Sequence, residues 1–320
     1  VEAGLIARHR RAVDLNAGQD TLVDRSVDRR GPVERADPAA AAERLAPLRG
    51  TRPVLAALAF LTVGLSIKAA VFPLHQWLPN AYAYAPSAVS AFVAATATKV
   101  ALYVLMRYYF TVFGESQVLQ RLPMQQMLLV LALAGMFGAS TVAIFQTDLK
   151  RLFAYSSVAQ VGYIILGLSF GSATGLAAGI VHLFNHGVTK GAIFMLLGAV
   201  AATVGGTGLD RIRGLGRTMP WASLGIVVCG LSLIGVPGTA GFISKWVLVQ
   251  AALERGQWGL VFMIVGSSLL AIVYVWRFVE AAYFREPVSA PQGSRRVSPL
   301  MAVPTALLVA WVAKLTPHNA

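Results

Sequence analysis

The 320-residue chain is 56% hydrophobic and only 13% charged, with a mean hydropathy of +0.64; soluble domains carry about 25% charged residues, so these values describe an integral membrane protein. A formal net charge of +13 raises nucleic acid as a partner, but residues 1–50 balance nine Arg against eight acids. The excess of base lies at helix ends and inside apolar helices, not on one face of a soluble fold, which excludes that partner.

Residues 1–50 are rich in Arg, Asp and Val without sustained periodicity, and they hold no apolar core of the kind a cleavable signal peptide needs. Two readings stay open for them. One is a polar extramembrane leader in which PAAAAERLAPLRG forms a short surface helix; the other is non-native sequence from a fragment start or a frame shift. From Pro53 the character changes abruptly, and residues 51–320 read as a transmembrane domain. Eight apolar segments run over roughly 54–72, 86–110, 124–146, 152–170, 174–204, 220–253, 259–282 and 298–315. The expected fold is therefore all-α, a polytopic transmembrane bundle of about eight helices in the inner (plasma) membrane. The loops TDLKR, DRIRGLGR and FREPVSAPQGSRR carry eight Lys/Arg, against Arg107, Arg121 and Arg255 on the opposite side. Positive-inside bias places the first set in the cytoplasm and both ends of the helical block outside.

Two segments are interrupted. The first ends IKAAVFPLHQW, with Pro73 five residues after Lys68; the sixth reads LIGVPGTAGFISKW, with Pro237, Gly238 and two further glycines ahead of Lys245. Proline removes a backbone hydrogen bond and glycine frees the chain, so both helices should break there. Paired Pro/Gly-broken helices with a nearby lysine are the sequence sign of a transporter's ion site.

The fifth segment contains HLFNHGVTK, in which His182, His186 and Lys190 recur every fourth residue. On a helix they line one stripe about 12 Å long. Ionisable groups at membrane depth cost roughly 2.5–3.5 kcal/mol each and by default mark an ion or proton path. The stripe is expected to face the first and sixth segments. Lys99 lies mid-segment, thirteen residues after Pro86, and Lys68 is expected within its helix and not at its end. Lys150, in TDLKR, reads as a boundary charge. Desolvation disfavours an ammonium ion, which makes a lysine in an apolar helix a candidate proton acceptor. Zinc is an unattractive reading of HLFNH, because Leu183 stands where a metalloprotease has Glu and the segment offers no third ligand. A core His pair satisfied by backbone or Asn185 and a proton relay remain as alternatives. The single Cys229, in an apolar run, excludes a disulfide framework and any cysteine-based metal or iron–sulfur centre. GGTGLDRIRGLG lacks the context of a phosphate loop, and no flavin, haem or nicotinamide motif occurs, so no cofactor is expected.

Taken together, KAAVFPLHQWLPNAYAYAPSAVSA, TKVALYVLMR, DLKRLFAYSSVAQVGYI, HLFNHGVTKGAIFMLLG and GVPGTAGFISKW resemble the antiporter-like proton-pumping subunits. These are the large membrane subunits of respiratory complex I and the A-type and D-type members of Mrp Na⁺/H⁺ antiporters. The resemblance covers about residues 53–285. It implies fourteen helices in two inverted five-helix repeats, of which this chain would hold one repeat and part of the other. It implies a proton path through Lys68, Lys99, His182, His186, Lys190 and Lys245, the last at the release side. The family's six preceding helices, with a glutamate that pairs with the Lys68 position, have no counterpart in residues 1–50. The ending of the sixth segment, with VYVWRFVEAAYF, looks closest to the Mrp D type.

The function expected from the sequence is thus a proton-translocating, Mrp D-like component of a multisubunit cation/proton antiporter. Its partners would be the other subunits, the bilayer, protons and, in the antiporter case, Na⁺. A proton-pumping subunit of NADH:quinone oxidoreductase and a non-conducting assembly subunit are the alternatives. No catalytic site of its own is expected.

Overall fold

The computed structural model describes residues 51–113, 124–287 and 299–314, together with Ala42 and residues 45–48. The leader expected at residues 1–50 lies almost wholly outside the described residues; Ala46–Leu48 forms a single 3₁₀ turn.

The described residues are helical with no strand, and the all-α membrane bundle expected from composition is what forms. Six helices are long and apolar enough to cross a membrane. They are α1 (Arg52–Ala69), α3 (Ser87–Val112), α4 (Met124–Ile144), α5 (Leu149–Ser169), α6 (Ala173–Val204) and α10 (Trp258–Phe284), with α2 (Trp77–Tyr84) following α1. A short α7 (Leu215–Thr218) precedes the two halves of the sixth apolar segment, α8 (Pro220–Ile234) and α9 (Ala240–Glu254); α11 (Pro299–Lys314) closes the set. The eight apolar segments thus each appear, the first and the sixth as broken pairs.

α5 is the centre. All but two of its residues are buried, which in a bilayer means that protein and not lipid surrounds it. α4 and α6 pack along it, and small residues set the spacing: a Cβ on Gly167 would come within 2.7 Å of the Gly175 carbonyl oxygen, so α5 and α6 touch backbone to backbone. α6 is the hub for the remaining helices, packing against α3, α5, α8, α9 and α11. Exposed Phe60, Phe92, Val130, Phe262 and Leu269 form the apolar outer face that lipid would cover.

Three helical starts have a clear local cause. Asp148 accepts from the Arg151 N–H at the start of α5, and Ser172 from the Gly175 N–H at the start of α6, so orphan amides are satisfied. α8 begins with Pro220 in its first turn, where no N–H is missed, and ends at Gly235, whose φ of 89° gives the left-handed cap.

Candidate functional site

The two helical breaks position the site. α1 ends at Ala69 with a left-handed Ala70, and the chain resumes helical geometry at Trp77, so residues 70–76 with Pro73 form the first break. α8 stops at Ile234 and α9 starts at Ala240, leaving residues 235–239 with Pro237 and Gly238 as the second. At the second break the two half-helices close on each other. Gly241 donates its N–H to Ser232 Oγ, and a side chain at 241 would collide with the Ser232 carbonyl.

Breaking a helix strands carbonyls at its C-terminus. Lys245 takes them up: its Nζ donates to the carbonyls of Leu233 and Ile234 and to Ser268 Oγ, each at 2.9 Å. An ammonium has three donors, and all three are used. The cation also sits 4.3 Å above the centroid of the Tyr163 ring and at the negative end of the α8 dipole.

His182 lies beside it, held by two partners. Its Nδ1 is 2.8 Å from Ser244 Oγ on α9, and its Nε2 is 2.9 Å from Gln160 Oε1 on α5. The amide nitrogen of Gln160 reaches the Leu233 carbonyl at 3.3 Å, so His182 and Lys245 meet through one shared acceptor. Tyr163 completes the link, its hydroxyl lying 2.5 Å from Ser267 Oγ and 3.2 Å from Ser268 Oγ, and its ring 5.5 Å from that of His182.

His186 stacks below His182 at 6.4 Å between centroids. It is buried, and neither ring nitrogen has a partner among the described residues. Lys99 packs across from it, its side chain against the space left by Gly187, and its Nζ donates to the Ala94 carbonyl. Lys190 is fully buried; its Nζ donates to the Phe153 carbonyl at 2.8 Å and to Ser156 Oγ at 2.5 Å. The Tyr274 hydroxyl is buried nearby, with no hydrogen-bond partner among the described residues.

The stripe therefore faces α5, α9 and α3. The expected packing against the first segment is not what forms: α5 supplies Gln160, Ser156 and Phe153 instead, because it is the buried central helix. Lys68 is also placed differently from expectation. It occupies the last turn of α1, exposed, because the helix ends at Ala69, four residues before Pro73. Lys150 stands in the first turn of α5, at the loop-to-helix junction, and is buried there with its Nζ reaching the Ala85 carbonyl at 3.2 Å. Among the described residues no Asp or Glu is buried, and the hydrogen-bond partners of Lys99, Lys190 and Lys245 are carbonyls and hydroxyls.

A family described as NADH:quinone oxidoreductase/Mrp antiporter, transmembrane, matches residues 46–315. The chain belongs to that family. It is 41% identical over 273 residues to NADH-quinone oxidoreductase subunit N of Desulforudis audaxviator, covering 83% of this chain and 54% of that one. It is 31% identical over 257 residues to the D-type Na⁺/H⁺ antiporter protein of Alkalihalophilus pseudofirmus, covering 79% and 50%. Among solved structures, the Mrp complex from Dietzia sp. superposes with a TM-score of 0.73 at 26% identity, covering 81% of this chain and 56% of that chain. The chain spans about half the length of the curated relatives it matches. The higher identity to the N-type relative corrects the Mrp D expectation, which is not favoured. That expectation rests on the sixth segment, LSLIGVPGTAGFISKWVLVQAAL, together with VYVWRFVEAAYF, and apolar helices distinguish members of one family poorly.

Proposed function

We propose that the chain is an N-type proton-translocating membrane subunit of a respiratory NADH:quinone oxidoreductase or a closely related complex in the plasma membrane. The observation that carries this reading is the buried line of Lys99, His186, His182, Lys190 and Lys245, joined by Gln160, Tyr163, Ser156 and Ser268 and free of buried carboxylates among the described residues. Such a line accepts and passes protons but offers no anionic cage for a metal cation.

In this reading protons move between Lys99 and the histidines, and from His182 to Lys245 at the second break. Direct transfer needs heavy atoms within about 2.6–3.2 Å. His182 and His186 stand at 6.4 Å between ring centroids, so water bridges them, and the unpartnered nitrogens of His186 are where that water binds. Lys245 is the release group, Lys68 at the first break the uptake group, and the breaks at Pro73 and at Pro237 and Gly238 supply polar backbone at membrane depth. Electron transfer belongs to other subunits of the assembly.

A second reading, cation/proton antiport with partner subunits, draws support from the superposition on the Mrp complex. The two separate in sealed vesicles containing the whole assembly. The N-type reading expects proton uptake driven by NADH and quinone; proton movement driven by a Na⁺ gradient, with none driven by NADH, would favour the antiporter. His182→Gln should abolish the proton uptake in either case, and uptake persisting in that variant would remove the line from the path.

A further inference from the structure

Three serines along the proton line share one arrangement. Ser244 Oγ is 2.8 Å from His182 Nδ1 and 3.0 Å from the Gly241 carbonyl. Ser268 Oγ is 2.9 Å from Lys245 Nζ and 3.1 Å from the Ile264 carbonyl. Ser156 Oγ is 2.5 Å from Lys190 Nζ and 3.0 Å from the Phe153 carbonyl. In each case a hydroxyl stands between a titratable nitrogen and a backbone carbonyl one helical turn earlier.

A hydroxyl has one proton to donate and lone pairs to accept with. It can serve the nitrogen or the carbonyl as donor, but not both at once. We propose that Ser156, Ser244 and Ser268 are proton-followers: each turns its O–H toward the carbonyl when its neighbour is protonated, and toward the nitrogen's lone pair when the neighbour is neutral. The proposal rests on the proton-path reading and adds three positioning residues to it.

His182 fixes the logic most tightly. The Leu233 carbonyl only accepts, so the Gln160 amide nitrogen must face it and Gln160 Oε1 must face His182. His182 Nε2 therefore carries a hydrogen in either charge state. In the neutral ring Nδ1 is then a bare lone pair, and Ser244 must donate to it. In the imidazolium Nδ1–H donates to Ser244, whose own proton swings to the Gly241 carbonyl. The step adds one proton to Nδ1, forms one N–H bond, and moves no heavy atom; the proton comes from a hydronium or a protonated neighbour on the line. The charged or titratable groups around His182 are Lys99 from α3, Tyr163 from α5, Lys245 from α9 and His186 from α6. None of them contacts Nδ1 by a hydrogen bond, so Ser244 alone answers its change of state.

At Lys245 and Lys190 the same rotation serves the amine. The ammonium of Lys245 donates to Ser268 while Ser268 donates to Ile264; the neutral amine presents a lone pair that Ser268 can satisfy. Without the hydroxyl, each change of charge would leave a buried donor or acceptor unpaired, which is the costly state in a dry interior.

The test uses the chain in its native membrane assembly. Solid-state ¹⁵N-histidine spectra at alkaline pH, with the His182 signal assigned by its loss in His182→Gln, should show a neutral ring protonated at Nε2. A neutral ring protonated at Nδ1 would overturn the proposal, since Ser244 would then be a fixed acceptor. In transport, Ser244→Ala should slow vectorial proton uptake at least about tenfold, the size expected from losing a hydrogen bond to a charged group, with Ser244→Thr retaining most of it. Uptake within twofold of wild type in Ser244→Ala, while His182→Gln abolishes it, would overturn the follower role and leave the proton path standing. Uptake surviving in His182→Gln would overturn both.

Discussion

The Lys245 ammonium and the Ile234 carbonyl meet at 2.9 Å across the break between α8 and α9. The contact makes the break and the buried charge a single device: the helix ends because Gly235 turns left-handed, and the carbonyls freed by that ending are what hold the cation. Neither would be stable at membrane depth alone, since a bare helix terminus and a bare ammonium are both costly there.

Lys190 differs from Lys245 in sitting inside an unbroken helix, fully buried, with one carbonyl and one hydroxyl as partners. Taking a single charge out of water into a protein interior costs several kcal/mol, which an apolar side chain of similar volume does not incur. Lys190→Met should therefore leave the thermal transition of the solubilised protein unchanged or higher, while proton uptake by the assembly collapses. A variant that is less stable and still pumps would mean that Lys190 is structural.

Gly241 is the tightest point of the second break. Alanine there would normally gain helix propensity, about 1 kcal/mol. Here its Cβ would lie 2.7 Å from the Ser232 carbonyl carbon and closer still to its oxygen, both backbone atoms that cannot step aside. Gly241→Ala should lower stability by about 1–3 kcal/mol, the usual cost of overpacking, read as a fall in the thermal transition. Gly238→Ala has open space for its Cβ and should cost only what its φ of 88° imposes.

How much of this is legible in the sequence follows from what each residue type announces. Charges in apolar helices are loud, so the His182–His186–Lys190 stripe, Lys99 and Lys245 can be picked out by type and spacing. Pro73 and Pro237 are equally visible. Gln160, Tyr163, Ser156, Ser244 and Ser268 are not, because an uncharged polar residue in an apolar helix is ordinary and its meaning lies in partners remote in sequence. Tyr163 and Ser267, for example, are 104 residues apart. The signal that could find Ser244 and Gln160 is their place on the faces of α9 and α5 nearest the stripe, and reading it requires the packing first. Lys68 is misplaced when the proline is taken as the end of its helix, whereas the left-handed Ala70 ends it sooner.

That exposed Lys68 leads to a labelling prediction. If Lys68 takes up protons it needs a polar neighbour, and its side chain makes no hydrogen bond among the described residues. In nanodiscs the isolated chain should be modified at Lys68 by an amine-reactive probe, and the assembled complex should be protected there, as followed by peptide mass spectrometry. Equal modification in both would separate Lys68 from the proton line.

The decisive substitution is at Lys245, because its two tasks respond differently to two variants. Lys245→Ala removes both the cation and the proton carrier. The carbonyls of Leu233 and Ile234 lose their donor, so stability should fall by roughly 1–3 kcal/mol and proton uptake should vanish; loss of function there is ambiguous on its own. Lys245→Arg keeps a cation at the end of α8, with more donors in a planar fork, so the break should stay satisfied and the thermal transition should stay close to that of the native protein. Arginine cannot give up its proton at any accessible pH. If Lys245 releases protons, the arginine variant assembles, holds its fold and does not pump. If Lys245 is only the counter-charge for the α8 terminus, the arginine variant pumps normally. Proton uptake by vesicles carrying the assembled complex, measured beside the thermal transition of the same preparation, separates the two.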